Sequence, residues 1–193
     1  MNTLKIKHRE FEVIEEKGNN VLIANFKNKQ YEIIGYDSKS REGQLLIYSL
    51  ERIHSSPISS PKLCWIDKKA GYIVREHFAT ENIMDILAKQ DLSESIYDQL
   101  FKNAYFARSA SMTIDYSPNV WGLKDGTLYY LGYSFTPFSK ENDLVDKYLR
   151  LWFNTRELAQ FLKNKGVFYD KSREKNEYEV NKEIVLMTCK YYR

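Results

Sequence analysis

Apolar and polar positions change their period along this chain, and the change divides it. In the first third, apolar residues fall in short runs bounded by turn formers. Phe11-Glu12-Val13-Ile14-Glu15-Glu16 partly alternates and stops at Lys17-Gly18-Asn19-Asn20. Val21-Leu22-Ile23-Ala24-Asn25-Phe26 follows, then a polar turn over residues 27–29 and the run Tyr31-Glu32-Ile33-Ile34-Gly35-Tyr36. Runs of this length between Gly and Asn clusters predict a three-stranded antiparallel meander. Asp37 and Ser40 are cap-type residues, and Leu45, Leu46, Ser49, Leu50 and Ile53 recur at helical spacing. They predict a helix starting near Ser40 with one apolar face, ended by the serines and prolines of residues 54–61. Two more strands are expected over residues 62–66 and 72–78.

Past Asn82 the period becomes helical. Residues 82–88 read as a short helix. Ser93 opens a longer one, with Ile96, Tyr97, Leu100, Phe101, Ala104 and Ala107 inward. It breaks near Ser111. A loop then leads to Val120-Trp121-Gly122-Leu123, a Lys124-Asp125-Gly126 turn and a strand over residues 127–133, a hairpin by its turn chemistry. Leu144, Tyr148, Leu151, Trp152, Leu158, Phe161 and Leu162 continue the helical period, with a break near Asn154 and Gly166 as the terminal cap. A last helix is expected over residues 174–192, with Val180, Ile184, Val185 and Tyr192 inward. The pattern is that of an α+β protein. Its residues 1–79 form a small antiparallel lobe with one helix, and residues 80–193 a mostly helical lobe.

Composition narrows the class. With 43% hydrophobic and 28% charged residues, the 193-residue chain can bury a core without disulfides or metals. A net charge of +3, with Lys and Arg interspersed among Glu and Asp, describes a mixed solvated surface rather than a nucleic-acid module. The N-terminal residues are too polar for a signal peptide, and apolar stretches such as residues 184–187 are too short to span a bilayer. Cys64 and Cys189 lie in apolar runs without ligand spacing, which suits reduced, buried thiols in a cytoplasmic protein. His8, His54 and His77 fall in different elements, so no metal site is indicated. The neighbouring acids Glu15 and Glu16 point to opposite faces of a strand, which does not suit paired-carboxylate chemistry.

One segment carries more specific chemistry. Asp115-Tyr116-Ser117-Pro118-Asn119-Val120 is followed by the Asp125-Gly126 turn and Leu128-Tyr129-Tyr130-Leu131-Gly132-Tyr133. With the order of elements, this resembles the protein-kinase-like superfamily in its small bacterial and atypical forms. The resemblance covers residues 9–140, and the loop and hairpin of residues 113–133 hold its core. In that family a catalytic loop carries an Asp, a Pro and an Asn, and the following hairpin ends in a metal-binding Asp. Phosphoryl transfer then needs little more than positioning and charge neutralisation.

The resemblance places Asp115 at the catalytic Asp. It places Asn119, or Val120 if counted from Asp115, at the metal-binding Asn, and Gly132 at the metal-binding Asp. Glu42, with Glu51 as the alternative, matches the helix Glu. Glu76, in Arg75-Glu76-His77-Phe78, falls in the hinge that would meet an adenine ring. The run Tyr31–Tyr36 holds no lysine, Lys17-Gly18-Asn19-Asn20 is no glycine-rich phosphate loop, and Gly132 has no carboxylate. On this alignment, Gly132→Asp would set a carboxylate facing Asp115 and Asn119.

Each residue also has an ordinary role. Asp115 and Asn119 suit turns before and after Pro118, Gly132 suits a bulge, and Glu42 suits a helix N-terminus. The missing groups together imply a pseudokinase-like module that binds a protein or small ligand and needs no cofactor. The alternatives are an atypical phosphotransferase using Asp115 with magnesium-ATP, and an unrelated α+β interaction or RNA-binding protein.

Overall fold

A computed structural model describes residues 2–191 and shows a mixed α+β protein built on a curled antiparallel sheet. Tyr192, expected inward on the last helix, lies outside the described residues. The chain forms two compact units. The first takes residues up to Ser56 and Ser60–Ala79, and the second takes Pro57–Ser59 and the residues from Thr80 onward.

In the first unit, β1 (Thr3–Ile6), β2 (Arg9–Gly18), β3 (Val21–Phe26) and β4 (Lys29–Gly35) form an antiparallel meander. Two of its turns follow from residue pairs. Asn19-Asn20 and Lys27-Asn28 all take positive φ, between 50° and 61°, as two-residue turns matching the strand twist require. Helix α1 (Arg41–Ser55) intervenes before β5 (Leu63–Asp67) and β6 (Tyr72–Glu76), and the sheet order is β1-β2-β3-β4-β6-β5. Strand β1 is an addition to the expected meander. Its Leu4 and Ile6 alternate with polar residues, and Ile6 is fully buried with Phe11, Ala24, Ile33 and Val74. The Phe11 ring lies 5.1 Å from Phe26 and 5.9 Å from both Tyr31 and Trp65. Burying a side chain of this size stabilises by roughly 1.5–3 kcal/mol.

Helix α1 starts where Ser40 caps it, accepting the Gly43 N–H at 2.9 Å. Its inner stripe runs through Gly43, Ile47, Leu50 and Ile53. Leu45, expected on that face, lies nearly opposite on the helical wheel and is exposed.

The second unit begins with β7 (Glu81–Asn82), α2 (Ile83–Leu87) and α3 (Glu94–Ser109). Then come β8 (Met112–Ile114), β9 (Trp121–Lys124), β10 (Thr127–Tyr130) and β11 (Phe135–Pro137). Strands β9 and β10 pair through the Asp125-Gly126 turn, both residues at positive φ, and β11 returns to pair with β8. Gln99 of α3 clamps the hairpin: its Nε2 donates to the Gly126 carbonyl and its Oε1 accepts from the Leu128 N–H.

Residues 144–152, expected as helix, form a π turn and a 3₁₀ turn. The chain stops there because Thr155 donates its hydroxyl to the Arg150 carbonyl and caps a new helix, α4 (Arg156–Asn164), at the Leu158 N–H. Helix α5 (Glu177–Tyr191) closes the described chain. Only Val180 of α5 is fully buried, and Tyr191 stacks on Phe101 at 4.5 Å. These two belong to one stripe of the helix. Val185, expected inward, is on the opposite side and 58% exposed. Cys189 is also exposed and Cys64 half-buried, so neither is the fully buried thiol expected; both are free. No described helix is long and apolar enough to cross a membrane.

Candidate functional site

The loop after β8 and the hairpin β9–β10 bring together the residues with the most specific sequence signal, all within the second unit. Asp115 follows β8 directly and is half-buried. Its Oδ1 accepts the Ser117 N–H at 2.8 Å, an Asx turn that leads into the 3₁₀ turn Pro118–Val120. Asn119 sits in that turn, and its carbonyl accepts from the Asn82 side chain at 3.2 Å. That bond ties the loop to the start of α2.

The backbone of Asp115 is held by rings. Its N–H donates to the Tyr130 hydroxyl at 3.2 Å, and its carbonyl accepts from Trp121 Nε1 at 3.1 Å. The Tyr130 hydroxyl donates in turn to the Ser134 carbonyl at 3.0 Å and accepts the Ser134 N–H. One phenol oxygen therefore joins the loop after β8 to the segment after β10. Trp152 Nε1 donates to the Tyr116 carbonyl at 2.8 Å. Tyr116, Trp121, Tyr130 and Trp152 are each at most 1% exposed. The Trp121 ring stands 5.1 Å from Tyr130 and 6.0 Å, edge-on, from Trp152. Indole and phenol donors suit this task, since each buries a large apolar body and satisfies a backbone group.

Gly132 lies in the same knot and is buried. A Cβ at this position would stand 2.5 Å from the Tyr130 ring and hydroxyl. The space that a carboxylate at residue 132 would need is filled by that phenol. In the segment after Gly132, Phe135 is buried where β11 meets β8, and the Arg108 guanidinium lies 5.1 Å from the Phe138 ring.

The remaining sequence candidates belong to the first unit. Glu42 is exposed in the first turn of α1, where an acid complements the helix dipole. Glu76 ends β6, with its N–H donated to the Lys62 carbonyl at 2.9 Å, and the His77 N–H goes to the Gln30 carbonyl at 3.0 Å. Both hinge-type donors are thus used within the first unit. The buried charge on β4 is Glu32. It faces Arg75 on β6 in register and forms an ion pair with it.

Sequence reading missed the ring knot, although its signal was present in the density of Tyr and Trp over residues 116–133. Among the described residues, no group of three or more His, Cys, Asp or Glu side chains converges as a metal site. No protein-family model matches the chain, and no curated protein matches it either.

Proposed function

We propose that this chain is a protein-kinase-like module without catalytic activity, which acts by binding a partner. The observation that carries the reading is the Tyr130 phenol beside Gly132. In the superfamily that the hairpin resembles, residue 132 would supply a metal-binding carboxylate, and here a buried ring takes that volume. Other features support the same reading. Asp115 spends its carboxylate on its own turn. The buried side chain of β4 with a charge is Glu32, paired to Arg75, and offers no cation for phosphate. The succession of a meander, a helix, a two-stranded return, two helices, a loop and a hairpin supports the kinase-like origin.

The test is a thermal-shift titration with magnesium-ATP. A ligand at a hundred times its dissociation constant stabilises a fold by about 2.7 kcal/mol, a readily measured rise in melting temperature. The expected result is no magnesium-dependent rise. A clear one would replace this reading with the atypical phosphotransferase.

A further inference from the structure

The most exposed large hydrophobic residue in the described chain is Phe168, at 86%. It is not on a loose segment. Helix α4 ends in a paired cap in which the Gly166 N–H donates to the Lys163 carbonyl at 3.0 Å and the Val167 N–H to the Leu162 carbonyl at 2.9 Å. Gly166 takes φ +73°, the left-handed residue that this cap requires. On the other side, Tyr169 is buried and donates its hydroxyl to Asn154 at 3.2 Å. Phe168 is therefore held outward between two tied neighbours, and a ring held in water has given up burial without gaining freedom.

Beside it runs a groove of about 590 Å³, walled by one face of α4 and by residues 166–171. Arg156 and Lys163, seven residues apart on α4, stand on one wall with Ala159 between them, and Lys171 stands on the other. Among the described residues, none of these three cations forms a salt bridge; the cations that do, such as Arg150, Arg173 and Lys175, lie elsewhere. Glu174 is the one carboxylate in the groove's lining. A second groove shares Val167 and Phe168 but is balanced, with Asp85 and Asp170 against Lys89 and Arg173.

We propose that Phe168 and the cationic groove form a docking site for an acidic peptide segment of a protein partner. Its carboxylates would sit among Arg156, Lys163 and Lys171, and an apolar side chain would pack on Phe168. Charge complementarity selects the occupant: three unpaired cations against one acid attract carboxylates, and steer their approach. The concave groove suits an extended segment better than a flat bilayer, whose contact would fall on the ring alone. The chain's near-balanced charge of +3 argues against a nucleic-acid backbone as the natural ligand. This inference stands apart from the kinase-like reading, since no residue of the hairpin contributes to it.

The test uses fluorescence polarisation on the full chain, with a labelled peptide of alternating Glu and Leu and its Gln-for-Glu counterpart as probes. The Glu peptide should bind and the Gln peptide should not. Lys163→Glu with Lys171→Glu, and separately Phe168→Ser, should each weaken binding about tenfold or more, as loss of an interface anchor does. All three positions are exposed or at the groove rim, so unchanged melting curves are expected and would confirm folded variants. Lys68→Glu with Lys69→Glu, exposed lysines of the first unit, should leave affinity unchanged. Equal binding of both peptides, or equal loss in the control variant, overturns the proposal. So does tighter capture of single-stranded oligonucleotide or of phosphatidylserine vesicles that depends on Phe168 and Lys163.

Discussion

The hairpin around Tyr130 and the helix α5 belong to the same unit and are held by opposite means. At the hairpin, four buried rings fill the space and three of them, Trp121, Tyr130 and Trp152, donate to backbone carbonyls, so that little there beyond the Asp115 carboxylate depends on ionised groups. Helix α5 buries only Val180 fully, stacks Tyr191 on Phe101, and is strapped by charge. Arg150 bonds Glu157 of α4 at 2.5 Å and Glu177 of α5 at 2.8 Å; Lys175 bonds Glu183 at 2.8 Å; Lys190 reaches Glu94 at 2.5 Å and Asp98 at 3.1 Å. Buried rings resist salt and acid, whereas exposed ion pairs yield to both and contribute little each. A region fixed like the hairpin keeps a geometry; one fixed like α5 can be released without unfolding the rest.

The contrast is open to three measurements, and the largest effect belongs to the hairpin. Gly132→Asp drives a side chain into the Tyr130 ring and should cost at least about 1–3 kcal/mol in urea unfolding, the usual range for overpacking. It should bring no magnesium affinity by calorimetry. Metal binding in this variant would mean that the ring moves aside readily, and that the hairpin is not the fixed region described.

A smaller effect is expected at α5. Arg150→Met removes the bridge between α4 and α5, and the loss should be about 1 kcal/mol or less after solvent screening. Amide exchange should quicken through α5 and stay unchanged in β9 and β10. Added salt should reproduce part of this in the native protein. Equal acceleration in both regions would erase the distinction.

The smallest effect is a pH dependence confined to the straps. The hydrogen bond from Arg150 holds the Glu157 carboxyl below its ordinary value of 4.5. Burial works to raise Asp91, but bonds from Asn154 and Arg173 outweigh it and leave that carboxyl low as well. A carboxyl lowered in the folded state contributes stability that is fully present above its ordinary value and is lost as pH falls toward the folded one. Protection of amides in α4 and in the segment leading into α5 should therefore begin to fall below about pH 4.5, before that of the hairpin. Simultaneous loss in the two regions would show that the straps do not act separately.

The difference between these regions also marks how far the sequence can be read. Local chemistry determined the turns at Asn19-Asn20 and Asp125-Gly126, the cap at Ser40, the break near Asn154 and the change of period near residue 80, because each depends on a few adjacent residues. The α+β class follows from those. Tertiary structure alone decided which face of a helix turned inward. Leu45 and Val185 are apolar at helical spacing, yet both face solvent, because neighbouring stripes through Ile47 and Leu50, and through Val180 and Tyr191, already fill the available contacts. It also decided what stands beside Gly132. The glycine was legible as a missing carboxylate, but the ring that replaces it comes from Tyr130, two residues back along the chain. Only the folding of β10 and its return into β11 puts that phenol against Asp115 and Ser134. Spacing along a chain records which groups are present; whether a space between them is open or filled is settled by packing.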